Sequence, residues 1–208
     1  MHARAEAQVS VDSPAIWKVA GRTTVDPLPE DWRNQLAIRL GHRPRRIGIL
    51  AELALYGALD CLESAGEKEL PRNDLLRLCS RCGPVSAITQ VIEQMHTDLP
   101  MPFSFLQSQA SQILPALAGA MNWHGDAGVV MAKKSMDLAI LAVRQAGRNG
   151  MLLGWVEESH PYQSFWVRLV PCAAPSVDFS VASSFEEMCS KDTHYWRTGR
   201  SGVEVGRG

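Results

Sequence analysis

Residues 101–147 read MPFSFLQSQASQILPALAGAMNWHGDAGVVMAKKSMDLAILAVRQAG, and this stretch decides the fold. Leu106, Ala110, Ile113, Leu114, Leu117 and Met121 recur on one side of a helix predicted over Phe105 to Met121, with a kink expected at Pro115 because proline removes a backbone donor. Ala127 to Met131 then reads as a buried strand. Ser135 can cap a helix from Met136 that is apolar enough to lie at the centre of a layered domain. A strand feeding such a helix is a good seat for a nucleophile, since side chains at the junction meet the positive end of the helix dipole. Here the junction reads Met131, Ala132, Lys133, Lys134, Ser135, with no cysteine, histidine or carboxylate.

The pattern extends outward in both directions. Upstream, Ile47, Leu50, Ala54, Ala58, Cys61, Leu62 and Ala65 place a helix over Ile47 to Ala65, ended by Gly66. Leu75 to Cys79 reads as a strand and Gly83 to Thr97 as a helix. QVSV and IWKVA near the start read as strands, and a short helical turn is expected over Trp32 to Leu40. Downstream, Met151 to Val156 and Ser164 to Val170 are further strands, with a brief helix over Ser183 to Ser190. Beyond Pro171 the expected order weakens, and the TGRSGVEVGRG end reads as a mobile or partner-dependent tail. Helices alternating with short apolar strands call for a layered α/β domain, a mixed sheet packed by helices.

With 208 residues, 46% hydrophobic and 21% charged, the chain can bury a substantial core in one domain. A net charge of -1 supplies no general attraction to nucleic acid or anionic lipid. No window approaches a membrane-spanning length, the first twenty residues do not resemble a secretory signal, and cytoplasm is the expected location.

Five scattered cysteines do not form a disulfide framework. Cys79 and Cys82 make a CxxC but lack the second pair of a structural zinc site, so no metal and no cofactor is expected. Lys133 and Lys134 at a helix start can face solvent, pair with acids of a partner, or meet a substrate phosphate or carboxylate. Arg33, Arg39, Arg43, Arg45 and Arg46 form a basic run with two readings, a solvated surface or a dock for an acidic partner. Ser135 as a nucleophile would need a histidine brought to it by folding.

At FLQSQASQILPALAGAMNWHGDAGVV the chain resembles the amino-terminal half of β-ketoacyl synthases, condensing enzymes of thiolase-like fold. It looks closest to the chain-length-factor proteins of type II polyketide and aryl-polyene pathways. ELALYGALDCLESAG is comparable to the family's LALxAAxxALxxAG helix, MNWHGDAGVV to its LGLxGPS segment, and NGMLLGWVEE to its DxxLAGGxE strand. The matches run from Val9 to Pro171, which implies a ketosynthase-like domain over 1–171 and an irregular or partner-dependent tail over 172–208.

In active relatives the helix-entry segment carries a cysteine that receives the acyl chain. The resemblance puts Ala132 at that position, or Lys133 if the register moves by one, and neither can form a thioester. The family's later half, with two histidines and a lysine, has no counterpart in these residues. The resemblance therefore implies a noncatalytic chain-length-factor subunit that forms a heterodimer with a full-length β-ketoacyl synthase and shapes its acyl tunnel in fatty-acid-like, polyene or polyketide synthesis. Val129, Val130, Met131, Lys133 and Lys134 would meet the partner, Phe103, Phe105 and Leu106 would approach the tunnel, and Arg43, Arg45 and Arg46 would dock an acyl carrier protein transiently. The alternatives are a small acyltransferase or hydrolase using Ser135, and a freestanding module that binds acyl chains or carrier protein.

Overall fold

The computed structural model describes residues 15–23, 28–97, 102–199 and 202–207. The expected QVSV strand lies outside them. Two strands dominate the middle of the molecule, β2 (Leu75–Ser80) and β4 (Met151–Glu157), and both are buried along their whole length. They pair in parallel, with Cys79 opposite Trp155. On the other side of β2 runs β3 (Asp126–Met131), also parallel. Beyond β4 the sheet turns antiparallel through β5 (Gln163–Pro171) and β1 (Ile16–Thr23). It ends with β7 (Thr193–Thr198), β8 (Val203–Arg207) and β6 (Phe179–Val181), giving the order β3-β2-β4-β5-β1-β7-β8-β6.

Alternation along the strands divides the core into two layers. Leu76, Leu78, Leu152, Val156 and Trp166 point into one layer, against α1 (Trp32–Leu40), α2 (Ile49–Ser64) and α5 (Ile113–Ala120). Leu75, Cys79, Leu153, Trp155, Val167 and Leu169 point into the other. That second layer is covered by α6 (Ser135–Gln145) and α7 (Phe185–Met188). The result is helices on both faces of one mixed sheet.

Packing of α2 depends on Gly57. A Cβ there would stand 2.3 Å from Ser164 Oγ and 2.4 Å from Trp166 Cδ1, so the helix approaches β5 as only glycine allows. The predicted stop is also as expected. Gly66 is left-handed at φ 70°, Glu67 N–H donates to Leu62 O at 2.9 Å, and Gly66 N–H donates to Glu63 O at 2.9 Å. Glu67 then pairs at 2.6 Å with Arg168 of β5, whose guanidinium is buried and also meets Asp74 at 2.7 Å.

Several expectations need correction. Phe105 to Met121 is not one kinked helix: α4 (Pro102–Gln107), a turn of 3-10 helix (Ala110–Gln112) and α5 replace it. Pro115 falls in the first turn of α5, where its missing N–H has no helical acceptor to lose. Ala127 to Met131 is an edge strand with no residue fully buried, because only β2 flanks it. Helix α6 covers one face rather than filling the centre, burying Leu138, Ala139, Ala142 and Val143 and exposing Asp137, Arg144 and Gln145. The brief helix expected over Ser183 to Ser190 is α7, but the rest of the segment expected to be an irregular tail contributes strands β6, β7 and β8, with Trp196, Val203 and Val205 buried in the core.

Candidate functional site

Because β2, β3 and β4 are parallel, their carboxyl ends share one edge of the sheet. The chain returns from β2 to β3 through α5 on one face and from β3 to β4 through α6 on the other. Connections that part to opposite faces leave a crevice at the strand ends. Three turns line this crevice, one after Ser80, one after Met131 and one after Glu157.

Two buried carboxylates of β4's end organise the first turn. Glu157 accepts from Arg81 N–H at 2.5 Å and, more distantly at 3.4 Å, from Cys82 N–H and the Ser80 hydroxyl. Ser80 Oγ in turn accepts from Gly83 N–H at 2.9 Å, and Glu158 accepts from Ser86 N–H at the start of α3 (Val85–His96). Neither glutamate was singled out from sequence. The signal was present in WVEE, two acids ending a strand that is otherwise apolar and buried.

In the second turn Ala132 is half-buried against the α6 layer, and its N–H donates to Ser80 O at 3.3 Å. A methyl group therefore stands where the strand hands over to the helix. Lys133 and Lys134 are exposed, and Lys134, not Ser135, occupies the N-cap of α6 without a side-chain capping bond. Ser135 is the first helical residue, correcting the expected cap, and its hydroxyl makes no hydrogen bond with any described histidine. Cys79 lies beside Val130 on β2, and burial pushes its thiol up to about 12 against an opposing hydrogen bond with the Ala132 backbone. Such a thiol is protonated at neutral pH and is no nucleophile. Cys82 of the same CxxC is exposed, and among the described residues no group of three or more histidines, cysteines or acids converges to hold a metal.

Lys133 and Lys134 line a cleft of about 400 Å³ with Arg81, Trp155, Ser183 and Ser184. Val129 and Val130 are half-buried on β3 and Met131 is 52% exposed at its end, against Gly83. The far side of β3 has no strand partner among the described residues. The fold also exposes apolar side chains on two helices. On α4, Phe103, Phe105 and Leu106 are exposed, and on α3 so are Val85, Ile88, Ile92 and Met95.

The basic run divides in two. Arg33 pairs with Glu52 and Arg39 with Asp60 and Glu63, so these two are satisfied within the fold. Arg43, Arg45 and Arg46 are exposed and form no ion pair with a described residue. The Arg46 guanidinium sits 4.9 Å from the Phe103 ring centroid, which brings the basic loop against α4. Sequence had assigned these residues to separate roles and gave no sign of their contact.

This architecture is the thiolase-like α/β fold of ketosynthases. It is similar to the ishigamide ketosynthase/chain length factor at TM-score 0.54 and 15% identity, over 70% of this chain and 52% of that one. It is similar, at 0.54 and 14% identity, to a structure of the ketosynthase ApeO in complex with its chain length factor ApeC from Xenorhabdus doucetiae, with 94% of this chain and 97% of that chain covered. A third similarity, at 0.55 and 11% identity over 76% of this chain and 63% of that one, is to AntDE:AntF, a type II polyketide acyl-carrier protein in complex with its ketosynthase. The chain thus spans about half the length of the ishigamide chain. No protein-family model matches the sequence, and no curated protein does.

Proposed function

We propose that this chain is a noncatalytic chain-length-factor-like subunit that pairs with an active β-ketoacyl synthase and helps shape its acyl tunnel. The observation that carries the reading is the junction after β3. Ala132 occupies the handover from strand to helix, and the neighbouring thiol of Cys79 is buried and protonated. Acyl transfer to a side chain needs an activated nucleophile with a base in reach, and this junction offers neither. In the same place β3 has an edge with no strand partner among the described residues, and an open edge is a ready template for a second chain.

In this reading Val129, Val130 and Met131 meet the partner, with Lys133 and Lys134 at the border of the contact. Phe103, Phe105 and Leu106 contribute apolar surface to the tunnel, and Arg43, Arg45 and Arg46 attract an acidic acyl carrier protein. Residues 1–171 form the ketosynthase-like unit, to which the residues after 171 add strands at the far edge of the sheet. The likeness to structures that contain ketosynthase and chain-length-factor chains supports the assignment at the level of fold.

Reconstitution tests it. Candidate full-length ketosynthases are assayed with carrier protein and extender units, with and without this chain, and acyl products are sized by mass spectrometry. Product that is lost or altered in length when the chain is omitted is the expected outcome. Unchanged product with every partner, or turnover by this chain alone, overturns it.

A further inference from the structure

The cleft at the carboxyl ends of the parallel strands gathers three cations that form no ion pair with a described residue. Arg81 comes from the turn after β2, Lys133 and Lys134 from the turn after β3, and Ser183 and Ser184 from the segment before α7. Trp155, 7% exposed, supplies an apolar wall. Among the described residues no acid lines the cleft. None of the three cations makes an ion pair with another described residue.

Two acids near the cleft have partners of their own, and a third is exposed beside it. Glu157 is buried and accepts from the Arg81 and Cys82 amides and the Ser80 hydroxyl. Glu187 accepts from the Ser183 amide and hydroxyl and pairs with Arg207. Asp137 is exposed on the first turn of α6. Ser183 thus spends its proton on Glu187, whereas Ser184 Oγ only accepts, from Glu187 N–H at 3.1 Å, and keeps its proton to give.

Three cations gathered from two turns repel one another, and those beside the uncapped start of α6 also oppose its dipole. An arrangement that costs stability in the free protein is relieved by a bound anion. The chemistry of the lining selects the class. A guanidinium, two ammonium groups and a hydroxyl proton are all donors, which suits the three terminal oxygens and the near-double charge of a phosphate monoester better than a carboxylate.

We infer that this cleft binds an organic phosphate, its phosphate held by Arg81, Lys133 and Lys134 and its apolar body against Trp155. Lys133 and Lys134 also border the proposed partner contact, so the site is tested on the chain alone, where its failure is distinct from failure of the pairing.

The test uses the whole chain alone, titrated calorimetrically with hexyl phosphate, hexanoate and inorganic phosphate at low and high salt. Hexyl phosphate is expected to bind tightest, to weaken with salt, and to lose about tenfold in affinity on Lys133→Ala, Lys134→Ala or Arg81→Ala. All three residues are exposed, so folding is preserved, and Lys68→Ala, an exposed cation remote in sequence, controls for net charge. Equal binding by the three cleft variants, or no measurable binding of hexyl phosphate, overturns the site. Hexanoate or inorganic phosphate binding as tightly as hexyl phosphate overturns the assigned ligand class.

Discussion

At the scale of single residues, two buried groups make the fold sensitive to charge. The Arg168 guanidinium is 1% exposed and held by Glu67 at 2.6 Å and Asp74 at 2.7 Å. Removing one member of such a set strands the others without compensation. Arg168→Met is therefore expected to cost about 3 kcal/mol or more, read as a lower urea midpoint, and a midpoint unchanged from the parent would contradict the ion-pair account. Cys79 acts at alkaline pH. Its thiol is pushed up to about 12 in the fold from the ordinary 9.0, so above pH 9 the unfolded chain has released a proton that the native state still holds. The unfolded state then binds fewer protons and stability falls as pH rises. Between about pH 8 and about pH 10 this thiol alone accounts for a loss of about 1.4 kcal/mol. Cys79→Val is expected to recover that increment in paired denaturation curves, with the loss from Cys61, also held well above its ordinary value by burial, remaining.

Among the elements, α2, β2 and β4 were legible in the sequence as apolar segments that the fold buries, and α3 through helical spacing of apolar residues of which only Ala87 is buried. What could not be read locally was decided by neighbours. The AGVV run of β3 is as apolar as a central strand, and its place at the edge follows only from which strands pair with β2. The order after Pro171 was missed because β7 and β8 are short, mix Arg197 and Glu204 with Trp196, Val203 and Val205, and are joined through Gly199 and Gly202. That the junction after β3 holds no cysteine, histidine or carboxylate was legible in the sequence, whereas the cleft residues Arg81, Ser183 and Ser184 come from distant turns. The exposed rings of α4 carry a prediction at this scale. If Phe105 fills tunnel volume in a complex, Phe105→Ala is expected to shift products to longer chains without dissociating the subunits. Products of unchanged size from an intact complex would remove the residue from that role.

For the molecule as a whole, the internal and external faces of the sheet differ in kind. Both helical layers are filled, with Trp17, Trp166 and Trp196 fully buried and no buried side-chain polar atom lacking a partner among the described residues. Against that satisfied interior, β3 has an edge without a strand partner among the described residues, Met131 is exposed at its end, and α3 and α4, packed on each other, expose apolar side chains. Exposed apolar side chains and an open strand edge are each costly to leave in water and fit a second protein. On the proposed function, a condensing subunit covers these surfaces. The most direct measurement is the native mass of this chain co-expressed with full-length ketosynthases, alongside the Met131→Lys variant, which places a charge at the border without disturbing the core. A one-to-one complex that Met131→Lys dissociates is the predicted result. A chain that stays monomeric with every partner, or a complex indifferent to Met131→Lys, would contradict the account.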